Sequence, residues 1–95
     1  MIIVSQDKCA IVNLDNIKTI ELDRETDFKS IIIFRETNEV ETGVCGLFIG
    51  HYATRERAKE VLQEIIKSYR YYRTAECDGY TNVLQETAVF EMPED

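Results

Sequence analysis

The stretch Thr54-Arg55-Glu56-Arg57-Ala58-Lys59-Glu60-Val61-Leu62-Gln63-Glu64-Ile65-Ile66-Lys67-Ser68-Tyr69-Arg70-Tyr71-Tyr72-Arg73 decides the fold. Ala58, Val61, Leu62, Ile65, Ile66 and Tyr69 recur at the spacing that places side chains on one face of an α-helix. The pattern predicts an amphipathic helix over about 54–72, with an apolar stripe that must be buried against the rest of the chain. Each large aliphatic side chain seated on that stripe contributes roughly 1.5–3 kcal/mol. Thr54 is suited to cap the helix, and Glu56 lies in the first turn, where the backbone dipole favours a carboxylate. A capping box would need Glu or Gln at position 57, which is Arg57, so the box is absent. Tyr71, Tyr72 and Thr74 are weaker helix formers, and Asp78-Gly79 is a turn pair, so the helix is expected to end between Tyr71 and Ala75.

Upstream of the helix the chain reads as strands. Residues 1–5 and 9–14 are rich in β-formers and are separated by Gln6-Asp7-Lys8, a connection of hairpin length. Asp15-Asn16 then interrupts the chain before residues 17–22, where Ile20 and Leu22 flank Glu21. Residues 23–29 are dense in charge and mark a turn. Residues 30–35 hold three consecutive isoleucines and Phe34, as expected of a strand buried on both faces. After a polar loop over 36–42, residues 43–51 form a fifth run whose glycines suggest a bulge or close backbone approach. Beyond the helix, residues 80–85 are expected to be extended and residues 87–92 to form a last strand, stopped by Pro93. The predicted fold is one α+β domain over 1–95. An antiparallel sheet of about five strands within 1–51 packs on one long amphipathic helix, followed by a C-terminal strand over about 87–92. One helix covers only part of such a sheet, so a homodimer or higher oligomer is expected to cover the rest.

Charge is distributed unevenly. The chain carries eleven basic and eighteen acidic residues, net −7, yet residues 54–73 hold six basic against three acidic. A locally cationic helix on an acidic body permits a small anion site and argues against broad binding to duplex DNA, which depends on many phosphate contacts. The apolar runs are far shorter than the ~20 residues a membrane helix needs. The N-terminus lacks the basic region of a secretory signal, so a cytoplasmic location is expected. Cys9, Cys45 and Cys77 form no Cys-x-x-Cys pair. Cys9 and Cys45 are expected to pack inertly in apolar strands, and Cys77 to lie in a loop beside Asp78.

Met1-Ile2-Ile3-Val4-Ser5-Gln6-Asp7, the phrase Tyr52-Ala53-Thr54-Arg55-Glu56-Arg57-Ala58-Lys59-Glu60-Val61-Leu62 and the ending Ala88-Val89-Phe90-Glu91-Met92-Pro93-Glu94-Asp95 resemble small proteins of low-GC Gram-positive bacteria and their phages. The resemblance spans nearly the whole chain and rests on structural motifs. It implies phage or prophage origin and hence a counter-defence role, either as a sponge that sequesters a nucleotide-derived immune signal or as an inhibitor of a bacterial defence protein.

The candidate ligand residues are Arg55, Arg57, Tyr69, Arg70, Tyr72 and Arg73. Arginine presents a planar fork to phosphate and tyrosine a ring on which a base stacks, so the two together suit a nucleotide. The plainer account is that Tyr69 continues the apolar stripe and that the distal arginines answer the helix dipole. Arg55, Arg57 and Lys59 lie near the free N–H groups of the helix start, where anions are attracted, and would need a second subunit to join the distal arginines. The carboxylates Asp23, Glu25, Asp27, Glu36, Glu39 and Glu41 suit the alternative of an acidic inhibitor, an anti-CRISPR or a nucleic-acid mimic. They suit ordinary solubility equally well. His51 is the one histidine, and no companions stand at metal-site or catalytic spacing. No Walker loop, dinucleotide fingerprint, nucleophile elbow or zinc-protease motif occurs, so the expected protein is non-enzymatic and needs no cofactor or metal.

Overall fold

The computed structural model describes residues 1–36, 46–78 and 89–95, with side chains followed as far as Tyr71 along the helix. It is α+β. Strands β1 (Ile2–Val4), β2 (Ile11–Asn13), β3 (Thr19–Leu22), β4 (Ser30–Phe34) and β5 (Leu47–His51) precede helix α1 (Arg55–Asp78), and β6 (Val89–Glu91) follows it. The expected five-stranded sheet is replaced by two sheets of three strands, ordered β2-β1-β6 and β3-β4-β5. The reason lies at β1. Its hairpin partner β2 takes one edge, and β6 takes the other in parallel, with Ile3 opposite Phe90, so no edge is left for β3. A parallel pair needs a long crossover, and the connection through α1 supplies it. Between β2 and β3 the side chain of Asn13 accepts from the Asp15 N–H (3.0 Å) and starts a 3-10 turn, Leu14–Asn16, that carries the chain out of the first sheet.

The β1–β2 hairpin closes as the polar spacing predicts. Ser5 N–H donates to the Ala10 carbonyl, Lys8 N–H donates to the Ser5 carbonyl, and Lys8 adopts φ 62°. The strand resumes only at Ile11, so Cys9 is exposed in the turn, where its thiol reaches the Asp7 carbonyl (3.5 Å), and it does not pack in a strand. Cys45 lies outside the described residues, as do most of the loop over 36–42, the extended segment over 80–85 and residues 87 and 88 of the last strand.

Every residue of β4 is buried, in agreement with the unbroken run Ile31-Ile32-Ile33-Phe34 at the centre of its sheet. The bulge expected from the glycine-rich fifth run is present: Ile31 pairs with Gly50 and Ile32 with Phe48, so Ile49 is the extra residue. Ile49 is thereby turned into the core. Gly50 permits this, because a Cβ there would stand 2.9 Å from the Met92 side chain and 3.0 Å from the Tyr52 ring. The core joins Ile3, Ile31, Ile33, Ile49, Tyr52 and Met92 to Ala58, Val61 and Ile65 of the helical stripe, with Leu62 and Tyr69 packed at its margin.

Thr54 caps the helix as expected, its hydroxyl accepting from the Arg57 N–H (3.1 Å). The C-terminus differs: α1 continues to Asp78, past the expected end, and takes the backbone of Cys77 into the helix rather than a loop. Burial of Ile65 and Tyr69 against the sheets outweighs the modest propensity deficit of the tyrosines that follow.

Candidate functional site

Among the described side chains, the expected ligand residues of the helix start and those near its end do not meet within one chain. Arg57 and Arg70 are thirteen residues apart on one helix, which places them about 20 Å apart along its axis. The N-terminal pair is engaged by the protein itself. Arg55 pairs with Asp27 (2.5 Å) and lies 5.1 Å above the centre of the Phe28 ring. Asp27 and Phe28 have φ values of 56° and 62°, a left-handed conformation that is rare for a residue as bulky as Phe28. Arg55 thus clamps a strained turn from both sides, by charge on one residue and by its face on the next. Arg57 donates through Nε to the main-chain oxygen of Asp95 (2.9 Å), and its Nη1 meets Glu60 (3.2 Å) and Glu64 (3.7 Å). Its work is to hold the end of the chain. The side chains of Tyr72 and Arg73 lie outside the described residues.

Tyr69 and Arg70 have a different setting. They form part of the wall of a cleft of about 340 Å³ between α1 and the segment leading into β3. Ile65 and Ile66 continue the helical wall, Leu14, Ile17 and Ile20 form the facing one, and Lys18 and Arg70 bring positive charge to the rim. Lys18, Leu14 and Ile17 carry no periodic signal of their own, and only the packing of the 3-10 turn against α1 brings them here. The lining contains no carboxylate. A cleft with apolar walls and a cationic rim accepts a ligand that is apolar in body and anionic at one end.

A second, more polar cleft of about 300 Å³ is lined by Gln6, Asp7, Thr26, Ser30, Phe48 and His51, among others. His51 Nδ1 stands 2.7 Å from the Ser30 hydroxyl, a contact between residues directly opposite each other on β4 and β5. Ser30 is buried, and its hydroxyl is engaged in this cross-strand pair. Asp7 accepts from the Ser5 hydroxyl (2.6 Å) and the Cys9 N–H (2.9 Å), bonds that hold its carboxyl below the usual carboxylate range. Among the described residues no cluster of three or more His, Cys, Asp or Glu side chains is arranged to hold a metal.

Sequence reasoning missed Gln6, which is central to the edge of the second sheet. Its N–H donates to the Ile49 carbonyl (2.8 Å), its Oε1 accepts from the His51 N–H (2.7 Å), and its Nε2 donates to the Glu94 carbonyl (2.7 Å). One residue thus imitates a strand along β5, joins the two sheets and fastens the chain end. The signal was a lone polar residue in a hairpin connection, which no periodicity marks. Tyr52 completes the fastening by donating its hydroxyl to the Pro93 carbonyl (2.9 Å), and burial pushes its pKa up to about 12.

The acidic residues are distributed among local tasks. Asp23 accepts from the Glu25 N–H (3.4 Å) to start the 3-10 turn Arg24–Thr26, and Asp27 pairs with Arg55. Glu39 and Glu41 lie outside the described residues. No helix among the described residues is long and apolar enough to cross a membrane. No family model matches the chain, and no curated protein or solved structure matches it either.

Proposed function

We propose that this chain is a non-enzymatic binding protein of the counter-defence kind, that its working surface is the cleft between β3 and α1, and that its target is another protein. One observation carries the reading: a cleft with apolar walls, lined by Lys18 and by no carboxylate, lies between β3 and α1. On a chain of net charge −7, Lys18 gives that cleft a local complement for an acidic, partly apolar segment.

Sequestration of a nucleotide-derived signal is the second reading, favoured by the meeting of Tyr69, Arg70 and Lys18 at one cleft. A ring for a base and two cations for a phosphate are the elements that chemistry requires. The volume, near the low end of the roughly 300–1,000 Å³ of small-molecule sites, suits one nucleotide better than a cyclic oligonucleotide. Arg55 and Arg57 lie outside the lining of this cleft and pair with Asp27, Glu60, Glu64 and Asp95.

Capture from a bacterial lysate with the wild-type chain and with Ile66→Asp, read by native mass spectrometry, tests the choice. Ile66 lines the cleft and is only half-buried, so the substitution changes the wall and spares the core. A polypeptide retained by the wild type and lost by the folded variant is the expected result. A co-purifying nucleotide would favour the second reading, and a polypeptide retained equally by both would remove the cleft from the interaction.

A further inference from the structure

The two edges of the sheet β3-β4-β5 are treated differently. At β5 Gln6 donates to the Ile49 carbonyl and accepts from the His51 N–H. At β3 no such partner stands among the described residues. Asp23 N–H donates to the carbonyl of Ser30, the residue directly opposite in the register, at 2.9 Å. In an antiparallel ladder hydrogen-bonded and non-bonded pairs alternate, so Thr19 and Glu21 also face β4, and Ile20 and Leu22 turn their N–H and C=O groups away from it. Among the described residues, the main-chain groups of Ile20 and Leu22 have no hydrogen-bond partner on that side. Thr19 and Ile20 also line the cleft described above, whose opposite wall is α1. An open strand edge running beside an apolar groove closed by a helix is an arrangement that receives an extended peptide as an additional strand.

Resting on the protein-binding reading, we propose that the partner contributes an extended segment that pairs with β3 through Ile20 and Leu22. Its alternate side chains are apolar, seated between Ile20 on one side and Ile65 and Ile66 on the other, and an acidic residue lies near Lys18. Charge selects this occupant over other extended segments: Lys18 stands in a lining that has no acid, on a chain whose net charge of −7 disfavours negative segments generally. The unpaired stretch Thr19–Leu22 spans about 13 Å, room for a strand of about four residues.

The test is an amide-resolved NMR titration of the full chain with an acetylated and amidated Val-Glu repeat hexapeptide, its Val-Lys counterpart and adenosine monophosphate. The Val-Glu peptide is expected to shift the amides of Ile20 and Leu22 and to slow their exchange by roughly tenfold or more. Thr19 and Glu21, already bonded to β4, should be spared, and the Val-Lys peptide should leave all four unchanged. Equal effects from both peptides, no change at Ile20 and Leu22 with Val-Glu at millimolar concentration, or the same changes with adenosine monophosphate would overturn the proposal. A second arm uses Ile20→Pro, which removes an outward N–H without touching the bonds to β4, beside Ile20→Val, which retains it. Strand addition expects the captured polypeptide to be lost with the first variant and kept with the second. A folded Ile20→Pro chain that still retains it would overturn strand addition and leave the protein-binding reading intact. A wild-type chain that retains no polypeptide would defeat that reading itself.

Discussion

Among single residues, Tyr52 and Gln6 carry most of the joinery. Tyr52 keeps its proton in the folded chain up to about pH 12, whereas a tyrosine in an unfolded chain loses it near pH 10. Between those values the folded state binds the extra proton, so stability present below pH 10 is lost as pH rises toward 12. Thermal melts of wild type and Tyr52→Phe across pH 8 to about 12 should show the wild type falling more steeply above pH 10. A constant difference between the two across that range would remove Tyr52 as the titrating group. Gln6→Ala leaves the Ile49 carbonyl its partner and strips the His51 N–H of its own, and it frees the Glu94 carbonyl. Loss of two such bonds should cost about 1–3 kcal/mol in urea unfolding. Neither role was written in the sequence as a pattern, because both depend on which strand lies beside residue 6 and on where the chain end returns.

At the scale of elements, α1 was the most readable part of the chain. Its stripe and its Thr54 cap follow from spacing alone, and both have their counterparts in the structure. Thr54→Ala should cost about 1 kcal/mol, measurable as a lowered urea midpoint at unchanged slope. Ile65 is 2% exposed, so Ile65→Ala should cost about 2–5 kcal/mol and Ile65→Asp should leave no cooperative melt by circular dichroism. The bulge in the fifth run was equally accessible, since Gly50 flanks the extra residue Ile49. Sheet membership was not. Strands that follow one another in sequence usually pair, but β6 returns to the free edge of β1, a long-range choice that local composition does not encode. The distribution of the arginines was unreadable for a related reason. Arg55 and Arg57 appear free on a helical wheel, and only the tertiary return of Asp27, Phe28 and Asp95 shows them held.

For the whole molecule, the described residues place an open strand edge beside an apolar cleft. Gln6 bonds to the edge of β5, Asp23 starts the 3-10 turn Arg24–Thr26, and the proximal arginines are paired within the fold. The open edge of β3 faces a cleft that Ile65, Ile66, Tyr69 and Arg70 complete from the helix. Part of this was visible beforehand, since Tyr69 and Arg70 were singled out by residue type. Lys18 and the β3 edge emerged only from the way the 3-10 turn at Leu14–Asn16 directs the chain under α1. Hydrogen-exchange mass spectrometry of the chain bound to the polypeptide it retains from lysate bears on this most directly. Protection should be confined to residues 17–22 and 65–70, on the two walls of the cleft. Protection over the acidic turn at 23–29 or the helix start at 54–60, with residues 17–22 exchanging as in the free chain, would contradict it.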